Sequence, residues 1–478
     1  MSEENHFFSP VGEVANPNIV SCDAASTVTE VARLMREHGI SSVIVSEQGK
    51  PHGIISDRDL RNKVVAAGKA PDTLTARDIM TAPFLAISAE RPLHEALHQM
   101  SRRRIHRLCV LDGKGELAGI VTSTDIMRLQ ARSALGLILD IEQASTVDAL
   151  APLHERVQEL VLQQVRQGVP TTSLVRTVAH LNDRILIRLI ELVREKDFPN
   201  LTSRFAFLVL GSEGRGEQTM ATDQDNAIVY ADDLSPAEVE ELTRFSEAVI
   251  AALIGIGVPE CPGGIMAKNP IWRRSLSAWQ GTLAQWFATA KSENILSGSM
   301  FFDQRTVYGD PTFERQLKDF IDRNLRDNAP FLAHTAANVL RFPPPLGFFG
   351  GIKATRKDGE RVLDMKKAGI FAITEGVKVL AQQAGLHGGN THDRIGWLLE
   401  RKILSADMAK DLVAAFDLLV ALRLRAQVEA IAAGQKPVNL LRLDGLDSMQ
   451  TGRLKMALAT VKRFGSVLEH RFRLQTMG

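Results

Sequence analysis

The N-terminal part of the chain carries a helical apolar pattern followed by two strand-like patterns, and this order occurs twice. In the first copy, apolar side chains recur at the spacing of one helix face, at Val28, Val31, Leu34 and Met35. A short β-branched run at residues 43–45 predicts a strand, and a second strand begins at Gly53 after a turn. Ser56 is then predicted to cap a further helix, with Asp59 in the first turn of that helix.

This N-terminal pattern is an internal repeat. At one constant spacing, the residues Glu30, Met35, Ile40 and Val45 are matched by Glu95, Met100, Ile105 and Val110. At a spacing one residue longer, Gly53, Ser56 and Asp59 are matched by Gly119, Thr122 and Asp125. One residue inserted in the second hairpin explains the change. Each copy is therefore predicted to fold as helix, strand, hairpin, strand and helix.

The doubled Gly-h-h-Ser/Thr-x-x-Asp motif, in which h is apolar, resembles that of a tandem pair of CBS domains, a Bateman module, over residues 8–131. The resemblance implies a cleft for an adenine nucleotide, in which the hydroxyl meets phosphate at a helix N-terminus and the Asp accepts from a ribose hydroxyl. The residues implied for nucleotide binding are Ser56, Asp59, His106, Arg107, Thr122 and Asp125. The alternative is that these hydroxyls and carboxylates only cap their helices.

Residues 132–198 are predicted to form a helical connector. Apolar residues recur at helical spacing in two segments, which favours an antiparallel helix pair. The two faces are Val157, Leu160, Val161 and Val165, and Val178, Leu181, Ile185, Leu186 and Leu189. Either this pair links a sensor to a working domain, or it is a packed hairpin without a signalling role.

The segment at residues 205–230 carries the most specific chemistry. An uninterrupted apolar run at 205–210 predicts a strand buried on both faces, and the turn Gly211-Ser212 follows it. Asp223 and Asp225 lie two positions apart at the start of a second apolar strand, so their side chains are expected on one face. Adjacent carboxylates repel each other unless a cation lies between them. Mg²⁺ suits such a pair, because it binds through one or two carboxylates together with substrate phosphates.

The turn supplies groups that suit a triphosphate. Gly211 lets backbone N–H groups approach phosphate, Ser212 adds a hydroxyl, and Arg215 adds a planar cation. The pattern Gly-x-Gly-Arg-Gly-Glu followed by Ser/Thr-Asp-x-Asp resembles the nucleotidyltransferase superfamily with the DNA polymerase β-like fold. It is most similar to the DUF294 group, related to the uridylyltransferase of the PII signal protein, over residues 150–325.

This resemblance implies a third carboxylate on a later strand. Asp303 follows an apolar, strand-like run and is the predicted third catalytic and metal-binding residue. Asp310 is a weaker rival, because Gly309-Asp310-Pro311 is typical of a turn. If Asp223, Asp225 and Asp303 are ligands, Mg²⁺ ions would hold the triphosphate and activate an attacking hydroxyl. The alternative for an Asp-x-Asp pair is a solvated strand start.

A Gly- and Pro-rich loop lies between the predicted carboxylates. Its basic residues Lys268, Arg273 and Arg274 either meet the triphosphate or are simply solvated. Cys261 has no base or motif beside it, so an inert thiol is the favoured interpretation.

The C-terminal region, 331–478, is predicted to be a helical bundle with amphipathic helices at 368–381, 409–433 and 453–472. It resembles the C-terminal domain that accompanies DUF294. Its residues Lys353, Lys366 and Lys367 either face the nucleotide cleft or are surface lysines. His392-Asp393 invites comparison with HD phosphohydrolases, but the further ligands of that site are not visible and the segment is typical of a helix start.

Composition narrows the classes of function. The 57 Lys+Arg and 56 Asp+Glu residues balance, which argues against nucleic-acid or anionic-membrane coating. Three scattered cysteines favour a reducing compartment, and no zinc spacing is present. The acidic N-terminus lacks the features of a signal peptide, and no apolar run approaches the roughly 18–20 residues of a bilayer span. We therefore expect a cytoplasmic protein with no nucleic-acid or membrane partner.

The sequence thus predicts a multidomain α+β protein. The expected parts are a tandem CBS pair at 8–131, a helical connector at 132–198, a polymerase β-like nucleotidyltransferase domain at 199–325 and a C-terminal helical domain at 331–478. The predicted function is Mg²⁺-dependent transfer of a nucleoside monophosphate to a protein hydroxyl, regulated by an adenine nucleotide, with a homodimer formed through the CBS pair. The alternatives are a non-catalytic nucleotide sensor and, less favoured, a two-metal nuclease.

Overall fold

The computed structural model describes residues 10–125, 134–166, 169–220, 223–289, 291–326, 328–347, 350–357 and 359–476. Thr222 of the carboxylate motif and residues 8–9 and 126–131 of the predicted CBS pair lie outside these ranges. The chain divides into two compact units, Met1–Gly136 and Leu137–Gly478.

Unit 1 contains two copies of one small sheet, each with its own apolar core. The first sheet has strands β1 (Ser21–Asp23), β2 (Ser42–Glu47) and β3 (Lys50–Ser56), with β1 parallel and β3 antiparallel to β2. The second has β4 (Ala86–Ser88), β5 (Arg107–Leu111) and β6 (Leu117–Thr122) in the same arrangement. Helices α1 (Val28–Glu37), α2 (Asp57–Asp59, continued as a π-helix at Leu60–Val65), α3 (Ala76–Ile79) and α4 (Leu93–Arg103) complete the described part of the unit.

The strand registers show the repeat directly. Ser42 pairs with Ser56 in the first hairpin, and Arg107 pairs with Thr122 in the second, so the hydroxyl residues occupy equivalent positions. The sequence pattern missed β1 and β4. Each is three residues long with one buried side chain, Cys22 or Ile87, which is too short for a period-two signal.

Unit 2 begins with three helices: α5 (Ala134–Gln143), which starts shortly before the unit boundary, α6 (Leu150–Arg166) and α7 (Thr171–Asp197). The predicted pair of helices is α6 and α7. Val161, Leu174 and Val178 of this pair form a small core with Leu424, far along the chain. The connector is therefore packed into unit 2 rather than standing apart from it.

A four-stranded sheet lies at the centre of the candidate site. Its order is β10 (Arg305–Gly309), β7 (Phe205–Val209), β8 (Asn226–Tyr230) and β9 (Arg273–Ser275), with β7 antiparallel to both neighbours and β8 parallel to β9. Every residue of β7 is fully buried, as its apolar run predicted. The surrounding helices are α8 (Gly211–Gly214), α9 (Pro236–Gly255), α10 (Leu276–Ala288), α11 (Ser292–Phe301) and α12 (Thr312–Leu325).

The C-terminal region is helical, as predicted. It contains α13 (Ala329–Val339), α14 (Phe371–Gln383, preceded by a π-helix at Lys366–Ile370), α15 (Thr391–Glu400), α16 (Ala406–Ala432) and α17 (Ser448–Arg471). A small sheet, β11 (Thr355–Lys357), β12 (Glu360–Asp364) and β13 (Leu440–Arg442), was not predicted, because its strands are short and come from distant segments. In the described parts of the chain, no helix has the length and apolar character needed to cross a membrane.

Candidate active site

The turn after β7 brings the backbone close to the carboxylate pair. Gly211 has a φ of +52°, and a Cβ at this position would lie 2.6 Å from Met300 Cε and 3.5 Å from Asp225 Oδ2. A side chain would meet both a strained backbone and a filled space, so only glycine fits. The Leu210 amide donates to the Asp225 carbonyl at 2.8 Å, which ties the turn to the strand carrying the carboxylates. Ser212 follows in α8 and is half-buried.

Asp223 and Asp225 lie just before β8, and burial alternates along this segment. Gln224 and Asn226 are buried, whereas Asp223 is exposed and Asp225 is half-buried. Burial raises the pKa of Asp225, and the negative charge of Asp223 adds to this effect. The two carboxylates therefore interact unfavourably, as expected for a pair that binds a cation. This donor set suits Mg²⁺, which favours oxygen ligands.

The loop after Val258 is attached to β8 and contacts Asp225. The Cys261 thiol donates a hydrogen bond to the Asp225 carboxylate. Asn226 holds the loop in place through two hydrogen bonds. Its backbone N–H donates to the Ile265 carbonyl at 3.1 Å, and its side-chain Oδ1 accepts from the backbone N–H of Ala267 at 2.7 Å. Cys261 therefore acts as a hydrogen-bond donor to a site residue.

The basic residues of this loop make contacts within the loop. Arg273 Nη1 donates to the carbonyls of Ala267 at 2.7 Å and Lys268 at 2.8 Å. Lys268 pairs with Glu260, and Arg274 donates to the Ile271 carbonyl. These contacts favour a structural role for all three basic residues.

We expect Cys261 to react slowly with thiol reagents. Burial raises its pKa to about 11, so at pH 8 labelling should be roughly 100-fold slower than for a free cysteine. Cys22 and Cys109 are buried and should label only on unfolding. The measurement is the rate of labelling in native and urea-unfolded protein, with Cys261→Ala as the control. Fast native labelling at Cys261 would contradict its contact with Asp225.

Asp303 lies in a buried ionic cluster instead of beside the carboxylate pair. Its Oδ1 accepts from Arg394 Nη2 at 2.7 Å, and its Oδ2 accepts from Lys378 Nζ at 2.8 Å and Arg215 Nη1 at 2.5 Å. The Asp303 side chain has no exposed surface. Burial alone would raise the pKa of Asp303. The charges of Lys378, Arg394 and Arg215 outweigh this effect and hold the pKa well below its usual range.

The role of Asp303 as a catalytic metal ligand therefore stays a prediction, and its contacts do not favour that role, because three protein cations already surround its oxygens. The run before it, predicted as strand-like, is the end of helix α11. Asp310, the rival, lies in a turn, where its Oδ1 accepts from the Thr312 amide at 2.8 Å. Across the described ranges, no three His, Cys, Asp or Glu side chains are placed to hold a metal ion. The candidate metal ligands are therefore Asp223 and Asp225.

Arg215 is also engaged within the protein. Its Nε donates to Glu217 Oε2 at 2.7 Å, its Nη1 donates to Asp303, and its side chain is 10% exposed. Burial alone would lower the pKa of Arg215. The charges of Asp303 and Glu217 outweigh this effect and raise the pKa above its ordinary value. The direct contact of Arg215 with a triphosphate stays a prediction that these contacts do not favour, because this side chain joins the turn to the buried cluster.

Two cations from the C-terminal region interact electrostatically with the carboxylates. Lys366 acts electrostatically on Asp225, and it is exposed. Arg423 of α16 is buried, which lowers its pKa to about 10, and it experiences the charges of Asp364 and Asp223. The sequence analysis left two roles open for Lys366, in the nucleotide cleft or on the surface, and it did not identify Arg423. No local signal marks a buried Arg in a long amphipathic helix as part of a distant site.

In unit 1, four of the six predicted nucleotide-binding residues line one cavity of about 420 Å³. They are Ser56, Asp59, His106 and Arg107. Asp59 accepts from Ser56 Oγ at 2.7 Å and pairs with Lys63 at 2.8 Å, and Arg107 Nη2 donates to Ser41 Oγ at 3.0 Å. Thr122 and Asp125 do not line this cavity. They form the equivalent cap of the second repeat, with Thr122 Oγ1 and Asp125 Oδ2 2.6 Å apart.

His392 and Asp393 have separate roles. Asp393 caps α15 by accepting from the Asn390 amide at 3.1 Å, as the helix-start interpretation predicted. His392 Nε2 lies 2.8 Å from Asp417 Oδ1 of α16. This arrangement does not resemble a metal-bound His-Asp pair.

Comparison with known families matches each part of the chain. Residues 155–293 match the family described as "Putative nucleotidyltransferase DUF294", and residues 329–472 match the "Putative nucleotidyltransferase substrate binding domain". Residues 11–66 and 76–132 match the CBS domain. These matches confirm the predicted fold class: a CBS pair, a nucleotidyltransferase domain and a helical C-terminal region.

Several relatives each match about a quarter of the chain. Uncharacterized protein MK0525 of Methanopyrus kandleri is 45% identical over 121 residues, 25% of this chain and 62% of that protein. Hypoxic response protein 1 of Mycobacterium tuberculosis is 32% identical over 117 residues, 24% of this chain and 81% of that protein. A solved CBS domain pair of protein MJ0100, in complex with 5′-methylthioadenosine and S-adenosyl-L-methionine, is 26% identical, with a TM-score of 0.24, covering 26% of this chain and 97% of that one.

The fold and the family matches define a nucleotidyltransferase-type protein with a regulatory CBS pair. More specifically, the chain belongs to the DUF294 family of putative nucleotidyltransferases, with the substrate-binding domain of that family and tandem CBS domains.

Proposed function

We propose that the protein is a Mg²⁺-dependent nucleotidyltransferase that transfers a nucleoside monophosphate from a nucleoside triphosphate to a hydroxyl group of a protein. The observation that carries the proposal is the pair Asp223 and Asp225 beside the Gly211 turn, with Asp225 Oδ2 within 3.5 Å of a Cβ position at Gly211. Because Gly211 carries no side chain, the backbone N–H groups of the turn would be able to approach a phosphate held beside the carboxylates.

Asp223 and Asp225 would hold the metal, which when bound neutralises phosphate charge and activates the attacking hydroxyl. The Gly211-Ser212 turn would bind the triphosphate through backbone N–H groups and the Ser212 hydroxyl. Lys366 and Arg423 lie where they can stabilise negative charge on the phosphates. Arg215 would position the turn by joining it to Asp303.

The test is transfer of label from α-labelled nucleoside triphosphates in a cell lysate, with the modified protein identified by mass spectrometry. We expect one acceptor to carry the nucleotide when Mg²⁺ and wild-type protein are present. An Asp225→Asn variant should transfer no label. Absence of transfer and of pyrophosphate release with every triphosphate would contradict the proposal.

A non-catalytic nucleotide sensor is the second candidate, favoured by one observation. The expected third carboxylate, Asp303, is enclosed in an ionic cluster, which leaves two acidic ligands. Calorimetry with Mg²⁺ and nucleoside triphosphates separates the two functions. Binding without pyrophosphate release would support the sensor.

We further propose that the unit 1 cavity binds an adenine nucleotide that regulates the transferase. Arg107→Ala should weaken AMP, ADP or ATP binding at least about tenfold, because it removes a charge-assisted hydrogen bond to phosphate. Isothermal titration of the full chain measures this change. The control is Arg33→Ala, which alters an exposed residue of α1 away from the cavity. Equal affinities in the two variants would exclude Arg107 from the site.

A further inference from the structure

A separate cavity of about 320 Å³ lies in unit 2 between the first turns of α7 and α15 and the middle of α16. Its volume is in the range of small-molecule sites. Neither Asp223 nor Asp225 lines it, and the proposed reaction does not use it.

One wall of this cavity offers groups suited to an anion. Thr171 and Thr172 line it at the N-terminus of α7, where backbone N–H groups are free to donate. Arg176, one turn further along, is exposed. Within the described ranges, Arg176 makes no hydrogen bond or ion pair, so its charge is available to a ligand.

The opposite wall is acidic. Asp417 shares one oxygen with His392 at 2.8 Å, and Asp393 uses one oxygen to cap α15, so each carboxylate keeps a second oxygen. The hydrogen bond that His392 donates to Asp417 raises the pKa of His392. The adjacent Thr391 is fully buried, and in the described structure its hydroxyl has no partner. This wall therefore retains unused hydrogen-bonding capacity.

The charges of the cavity balance. Glu217 also lines it, but its oxygens accept from Arg215 at 2.7 Å and from the Thr391 amide at 2.6 Å. What remains is a cation on the α7 wall and, on α15 and α16, the carboxylates of Asp393 and Asp417, of which Asp417 contacts His392. Between the walls lie the apolar side chains of Val175, Phe416 and Val420.

We propose that this cavity binds a free α-amino acid with an apolar side chain. The carboxylate of the ligand would meet Thr171, Thr172 and Arg176, its ammonium group would meet Asp417 and Asp393, and its side chain would contact Phe416. A ligand with only one charge would leave one wall unpaired, and a purely apolar ligand would leave both unpaired.

The test is calorimetric titration of the full chain with leucine and phenylalanine, beside N-acetyl-leucine and leucine amide. We expect the two amino acids to bind and the singly charged derivatives to bind at least tenfold more weakly. Arg176→Ala changes an exposed residue and should fold normally, yet lose at least tenfold in affinity for leucine. Asp417→Asn should lose affinity for leucine but not for N-acetyl-leucine.

The matched control is Lys410→Ala, an exposed residue of α16 outside the cavity. It should bind leucine as the wild type does. Equal binding of leucine and N-acetyl-leucine would overturn the proposal in favour of a simple anion site, and absence of binding by any of the four compounds would also overturn it. The readout is binding alone, so it is independent of whether nucleotidyl transfer occurs.

Discussion

Replacing Asp225 by Asn is expected to reduce Mg²⁺-dependent pyrophosphate release at least about 100-fold. In the proposed reaction the carboxylates would hold the cation that stabilises charge in the transition state, a contribution of several kcal/mol, and each ~1.4 kcal/mol corresponds to a tenfold change in rate. Asp223→Asn should have a comparable effect, because both carboxylates are proposed to hold the same cation. Stopped-time assays of pyrophosphate with saturating triphosphate measure the loss.

The control for this experiment is Asp233→Asn. Asp233 lies beyond the far end of β8, where it is exposed and pairs with Arg204. Its replacement removes one negative charge from the same region of the chain without touching the turn or the carboxylate pair. Activity that survives in Asp225→Asn, or falls equally in Asp233→Asn, would show that the carboxylate pair is not the metal site.

Replacing Asp303 by Asn is expected to destabilise the protein by about 3–5 kcal/mol, because removal of one partner leaves buried charges uncompensated. Arg394, whose side chain is 3% exposed, would lose its carboxylate partner, and Lys378, 4% exposed, would keep only its pair with Glu375. Urea unfolding monitored by circular dichroism measures the change. Asp319→Asn, an exposed residue of α12, should change the free energy of unfolding by less than about 0.5 kcal/mol.

A double variant identifies the cause of this loss. Lys378→Met combined with Asp303→Asn removes a buried positive charge together with the negative one, so it should recover part of the stability lost in Asp303→Asn. If Asp303→Asn instead keeps its stability and loses Mg²⁺ affinity, the ionic cluster is misassigned and Asp303 is a metal ligand after all.

The elements that could be predicted are those with a local pattern. The apolar run of β7, the helices α7, α16 and α17 and the duplicated hairpins of unit 1 all carry their periodicity within one continuous segment. The turn at Gly211 and the alternation of burial around Asp225 could be predicted for the same reason. A left-handed glycine between a buried strand and a helix is a local requirement.

The candidate site was predictable only in part, and Asp303 shows why. An acidic residue that follows an apolar run can be a metal ligand at the end of a strand or an ordinary residue at the end of a helix. The apolar run before Asp303 belongs to the helix α11. What decides the role of Asp303 is the approach of Lys378 and Arg394 from α14 and α15. Those residues lie far along the chain, and no spacing in the sequence links them to it.

The sequence by itself determined the repeat of unit 1, the strand–turn–carboxylate motif and the helical C-terminal region, because each depends on neighbouring residues and on the period of one helix or strand. Only the tertiary structure decided which charges meet. It enclosed Asp303 and Arg215 in one buried cluster, placed Lys366 and Arg423 where their charges act on Asp225 and Asp223, and opened a cavity between α7 and α16. The free energy of a charged group depends on its burial and on its neighbours in space, and folding sets both across long distances in sequence.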